Sequence, residues 1–169
     1  SFGEAFMNRG AKGQHWTNLR ACAFFDDFKK DKIVWIELTT KSKFAMCREE
    51  IYLLNSCYFM LTPDGYNSSA LLGVLNSKLI QFYMDVVSQT SGMGTNRWIN
   101  VVVKDFPVPD LSNTKEVIDL AQLVDEITNL KHADPEANTN LLESQVNRMV
   151  YELYRLSDEE IMLIEGNQN

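Results

Sequence analysis

The chain has 169 residues, 45% of them hydrophobic, and a formal net charge of −7. That is long and apolar enough for one compact domain burying about two thirds of its unfolded surface, which excludes disorder as the default state. No apolar run approaches the roughly 18 residues of a membrane span, and no charged segment followed by an apolar one opens the chain. A soluble, cytoplasmic protein without a membrane partner is therefore expected.

Cys22, Cys47 and Cys57 are an odd set without CxxC spacing, so reduced thiols are expected rather than a disulfide framework or a zinc ribbon. The pattern at Ser1 already reads as mid-protein sequence, so the chain is expected to be part of a longer polypeptide. The acidity is unevenly spread. Residues 1–110 carry twelve Lys/Arg against eleven Asp/Glu, whereas residues 111–169 carry four against twelve. From Arg9 to Arg48 there are nine basic residues and four acidic ones, enough for a basic face in a chain that is acidic overall.

In chain order, KIVWIELTT from Lys32 to Thr40 and NSCYFMLT from Asn55 to Thr62 are β-branched and aromatic runs that predict strands, with room for a short strand at Lys43 to Met46 between them. From Ser68 to Ser88 the positions Leu71, Leu72, Leu75, Leu79, Phe82, Tyr83 and Val86 recur at helical spacing and predict one long amphipathic helix on the sheet. Ile99 to Val103 predicts a further strand, closed by Pro107 and Pro109, which cannot donate to a ladder. A boundary at Asp110 divides an α/β unit (1–110) from a helical one (111–169). In the second, Asn113 with Glu116 reads as a capping box before Val117, Leu120, Val124, Ile127 and Leu130. After a break at His132 to Pro135, Leu142, Val146, Met149, Leu153 and Leu156 repeat with coiled-coil seam spacing. Two helices of about twenty residues predict an antiparallel hairpin about 30 Å long, at 1.5 Å per residue. Ser157 with Glu160 caps a last short helix. The expected class is α/β (α+β), a mixed sheet packed by a long helix with a C-terminal antiparallel helical hairpin.

Reactive constellations are missing from the sequence. No glycine-rich strand-to-helix turn for S-adenosylmethionine and no Asn/Asp-Pro-Pro-Tyr/Phe segment to hold a flipped base occurs. The only D-x-K, Asp27 to Lys29, precedes both Pro-Asp pairs, the wrong order for a metal-dependent nuclease. His15 and His132 are far apart, and no His, Cys or carboxylate group has metal-ligand or triad spacing. The glycine loop Ser91 to Thr95 has two readings: a phosphate cradle containing Gly92 and Gly94, or a helix C-cap at Gly92 and a turn into the next strand. Cradles usually lead from a strand into a helix, and here the helix comes first.

Lys29, Lys30, Lys32, Lys41, Lys43 and Arg48 have the chemistry to neutralise phosphates, which positions a protein without reading bases. Bidentate base readers would be Arg20, Arg48 and Arg97 for guanine, and Gln14, Asn18 and Asn96 for adenine. Trp35 alternates within an apolar strand and is expected in the core, while Trp16 and Trp98 stay open as stacking platforms.

Three stretches share one further property. LLGVLNSKLIQFYMDVVS with SGMGTNRW and DFPVP (Leu71 to Pro109), VYELYRLSDEEIMLIE (Val150 to Glu165) and HWTNLRACAFFDDFKKDKIVWIEL (His15 to Leu38) together resemble the TaqI-like C-terminal specificity domain of type IIG restriction and modification methylases. The resemblance implies a noncatalytic domain that recognises double-stranded DNA, with the glycine loop near the recognition face beside Asn96 and Arg97. It implies partner methyltransferase and endonuclease domains in the same polypeptide, which would use S-adenosylmethionine and magnesium; this fragment would hold no cofactor and no metal. Lys29 to Arg48 and Gly92 to Arg97 are then expected on one basic concave face, with the acidic hairpin turned away from DNA. The alternative is a protein-interaction module that docks a partner subunit through that hairpin.

Overall fold

A computed structural model describes residues 7–8, 15, 22–87 and 96–166. A 3-10 helix, Phe25–Lys29, leads into β1 (Lys32–Ile36). β1 is the centre of a three-stranded sheet, flanked by β3 (Phe44–Cys47) and β4 (Cys57–Met60) in the order β3-β1-β4. A second, two-stranded sheet pairs β2 (Leu38–Thr39) with β5 (Asn96–Arg97). The α/β class holds, but strand pairing among the described residues is antiparallel throughout rather than mixed. The register sets Ile33 opposite Met46 and Met60, and Trp35 opposite Phe44 and Tyr58, so one face gathers large apolar side chains.

That face closes over an aromatic cluster. Trp35 stacks on Tyr58 with ring centroids 5.6 Å apart, Phe44 meets Trp98 edge-on at 5.7 Å, and Trp98 meets Phe106 at 6.0 Å. Both indole N–H groups are satisfied inside, Trp35 Nε1 donating to Trp98 O (2.6 Å) and Trp98 Nε1 to Thr39 O (3.2 Å). Trp98 is 1% exposed, so it is a core residue and no stacking platform.

The predicted helix from Ser68 to Ser88 is two helices, α1 (Ser68–Leu75) and α2 (Lys78–Val87), bent by 53°. Side chains that compete with helical backbone cause the break. Asn76 turns aside to pair with the β3 backbone, accepting from Phe44 N and donating to Phe44 O, both at 2.9 Å. Ser77 Oγ donates to Val74 O (2.7 Å) and accepts from Ile80 N (3.3 Å), closing one helix and opening the next. No single helix among the described residues is long and apolar enough to cross a membrane; the α1–α2 pair together has that composition. Every residue from Ser69 to Leu75 is buried, making α1 the central helix of the fold.

Ile99 to Val103 is not the predicted strand. β5 ends at Arg97, and Asn100–Val103 is a single helical turn, α3, whose Val102 and Val103 N–H groups both donate to Ile99 O at 3.0 Å. The edge beside β2 is already taken by Asn96–Arg97, so local β propensity loses to tertiary context. The turn inserts Val103 and, just beyond it, Phe106 into the core.

The helical tail comprises α4 (Lys115–Ala133), α5 (Asn140–Tyr154) and α6 (Asp158–Gly166). The cap of α4 is Thr114, one residue beyond the expected Asn113, with Thr114 Oγ1 accepting from Val117 N. The Ser157 and Glu160 capping box forms as expected, with reciprocal bonds of 2.8 and 3.3 Å. The α4–α5 hairpin does not stand alone. Val117, Leu120, Val124, Val146 and Val150 belong to one apolar cluster with Ile33, Trp35 and α1. A Cβ on Gly73 of α1 would lie 2.6 Å from Val124 Cγ2, so the missing side chain is what lets α1 and α4 approach so closely. Glu165 fastens α6, pairing with the Lys78 ammonium and accepting from the Tyr151 hydroxyl (2.8 Å). Burial alone would raise the Glu165 carboxyl, yet these two partners hold it below the usual carboxylate range.

Candidate nucleic-acid interface

The eleven candidate contact residues separate into four groups. Arg20, Gly92 and Gly94 lie outside the described residues, as do Gln14, Trp16 and Asn18. Lys32 and Asn96 are turned inward. Lys29, Lys30, Arg48 and Arg97 are exposed but paired with carboxylates. Lys41 and Lys43 are exposed, with no ion pair among the described residues.

Lys32 is 1% exposed, and its ammonium donates to the carbonyls of Phe28 (2.8 Å), Lys30 (3.1 Å) and Glu49 (2.7 Å). All three of its donors are used within the protein, so it is withdrawn from the phosphate candidates. Asn96, 3% exposed, donates to Asp85 Oδ1 at 2.5 Å and faces the interior; as placed, it cannot read an adenine edge.

The 3-10 helix sets Asp26 and Asp27 three residues before Lys29 and Lys30, giving contacts of 2.9 and 2.7 Å. Each carboxylate holds its lysine above the usual ammonium range, first through the hydrogen bond and then through the charge. Arg48 lies 3.8 Å from Asp31. These exposed pairs add little stability, but they set three of the six cations between Lys29 and Arg48 beside carboxylates. The expected basic face over Lys29 to Arg48 therefore reduces, among the described residues, to the turn bearing Lys41 and Lys43.

That turn is braced from α2. Ser42 N donates to Gln81 Oε1 (2.6 Å), Gln81 Nε2 donates to Thr40 O (3.3 Å) and to Asp85 Oδ1 (2.9 Å), and Asp85 in turn receives Asn96. Gln81 and Asp85 were invisible as site residues in the sequence, where they fill only the polar face of a helix. They link the lysine turn to β5 on the neighbouring strand.

Arg97 projects from β5 and meets Glu37 Oε1 through both Nε (3.1 Å) and Nη2 (2.5 Å). Tyr58 Oη approaches the other carboxylate oxygen at 3.4 Å. Glu37 is a third site residue that the sequence pattern did not reveal. A further group, Phe24, Phe25 and Tyr52, forms an exposed aromatic cluster around Phe28, with Phe25 and Tyr52 centroids 5.4 Å apart.

A polar turn carrying exposed lysines beside a two-stranded ribbon carrying an oriented arginine is an arrangement suited to DNA, and family comparison agrees. The model of the TaqI-like C-terminal specificity domain matches residues 3–108. The chain belongs to that family. Membership carries with it DNA sequence recognition in restriction and modification systems. No curated protein matches the sequence at a significant level. The match takes in every candidate contact residue of the specificity domain and stops just short of Asp110.

Proposed function

We propose that this specificity domain is the target-recognition part of a bifunctional type IIG restriction endonuclease and adenine-specific DNA methyltransferase. It binds double-stranded DNA and chooses the sequence, while other domains of the same cytoplasmic polypeptide bind S-adenosylmethionine and magnesium and carry out the chemistry. The observation that carries this reading is the family match over residues 3–108. The lysine turn positions phosphates and the β2–β5 ribbon approaches the bases. Residues 111–169, with twelve acidic side chains against four basic ones, face away from DNA and serve as a spacer or docking element. The division is one of roles, since the hairpin shares its core with the sheet and α1.

Retention of a randomised duplex pool by the full chain tests the DNA reading. Binding is expected to weaken steeply with salt, and K41A/K43A should lower the slope of log affinity against log salt by about 1.8, at roughly 0.9 per phosphate contact. Absence of retention at low salt would overturn it. The chain alone is further expected to transfer no methyl group from labelled S-adenosylmethionine to duplex DNA and, with magnesium, to make no cut; activity above background would place a catalytic site inside residues 1–169.

A protein-docking module is the second reading, favoured by the exposed Phe24, Phe25 and Tyr52 cluster, since contiguous exposed aromatics mark contact surfaces. F25D/Y52D separates the two: DNA retention is unchanged if the cluster serves only a protein partner.

A further inference from the structure

Arg97 is an exposed cation held by a carboxylate 60 residues away in the chain, on a strand whose geometry suits a DNA groove. β2 and β5 form a two-stranded antiparallel ribbon in which Leu38 lies opposite Arg97 and Thr39 opposite Asn96. Thr39 and Asn96 are buried, so alternation sends Leu38 and Arg97 together to the outer face. A ribbon of this width is one of the two elements that the major groove of B-DNA admits.

Of the five N–H donors of the guanidinium, four form two forks. Glu37 Oε1 occupies the side fork, receiving Nε and Nη2. The end fork, one hydrogen from each of Nη1 and Nη2, meets no acceptor among the described residues, and it is the edge that matches the O6 and N7 acceptors of guanine. Glu37 is itself fixed. Its backbone N donates to Ser56 O (2.9 Å), its carbonyl accepts from Trp98 N (2.8 Å), and its side chain is 20% exposed against 57% for Arg97. An arginine already neutralised and oriented loses little freedom on binding and acts as a directional donor. Lys41 and Lys43, point charges with no ion pair among the described residues, are suited to phosphates instead.

We propose that Arg97 reads a guanine in the major groove and that Glu37 is its positioning residue. Leu38, 56% exposed beside it, is placed to meet the methyl group of a neighbouring thymine. The inference rests on the DNA-recognition reading and adds to it the base, the reading atom and the residue that aims it.

Selection of bound sequences from a duplex pool with a randomised centre, using the full chain, tests the proposal. The unsubstituted chain should select a motif with one strongly preferred guanine. R97A should cut the preference at that position by about tenfold or more, leaving the other positions intact. E37A should flatten the same position while retention of mixed-sequence duplex stays level or rises, because it removes a negative charge and frees Arg97 for phosphates. E37Q serves if E37A proves unstable to heat, with the same direction and a smaller effect. A motif untouched by R97A overturns the inference and leaves the DNA reading standing. Equal weakening on every sequence by the Glu37 variants reduces Glu37 to a structural role. A chain that selects no sequence overturns both.

Discussion

Val124→Asp is expected to abolish cooperative folding of the whole chain, sheet included. Val124 is buried on α4, against the bare Cα of Gly73 in α1 and close to Leu120 and Val146. An unpaired carboxylate there costs about 4 kcal/mol or more, a large part of the roughly 5–15 kcal/mol that holds a domain together. A hairpin held only by its own coiled-coil seam would melt alone when charge enters at Val124 or Met149. The structure argues otherwise, because α1 packs against α4 and α5 on one side and β3 on the other. Met149 is only partly buried, so its Asp variant should be milder. Trp35 and Trp98 lie on the sheet side of this core, far in sequence from the hairpin, and report on it independently of helix content. Urea titrations followed by tryptophan emission and by helical circular dichroism should collapse together in Val124→Asp. Native emission surviving after helix loss would show the α/β part folding without its tail.

What the sequence revealed and what it hid follow one physical division. Segments whose pattern reflects their own burial were readable: Lys32 to Ile36, Phe44 to Cys47 and Cys57 to Met60 are strands, and α4, α5 and the capped α6 are helices within a few residues of expectation. Errors arose where a distant partner decided the outcome. Asn76 leaves the helix because the Phe44 backbone accepts it 32 residues away in sequence. Val101 to Val103 coil into a turn because the β2 edge is already occupied. The candidate site obeyed the same rule. Counting charges gave the balance of Arg9 to Arg48 but not which lysines Asp26 and Asp27 hold, which needs the 3-10 turn, and 60 residues separate Glu37 from Arg97. Periodicity could not show that Lys32 points inward, since strands seldom bury a lysine without a carboxylate beside it.

Lys32 separates stability from recognition, and Lys32→Met is the second large effect expected. The ammonium sits at the C-terminal end of the 3-10 helix, where the carbonyls of Phe28 and Lys30 favour a cation, and it reaches across to Glu49 beyond β3. Methionine fills similar space but donates nothing, so the Phe28 and Lys30 carbonyls lose this donor and Glu49 O keeps only the weak Cys47 thiol at 3.5 Å, at roughly 1–3 kcal/mol for each group that water cannot reach. Relief from burying the charge offsets part of that, so a net loss of about 3 kcal/mol is expected. In a chain of this length that lowers the melting temperature by about 10 °C. The salt dependence of DNA binding should stay unchanged below the melting range, because this cation meets backbone rather than phosphate. K41A/K43A should do the reverse, lowering the salt slope while leaving the melting temperature within about 2 °C, as exposed surface substitutions do. Scanning calorimetry and duplex titrations over a range of salt concentrations measure both quantities for each variant. If Lys32→Met melted like the unsubstituted chain and lost one unit of salt slope, the ammonium would have to face the DNA, and the clamp that ties the 3-10 helix to the Glu49 segment would not exist in solution.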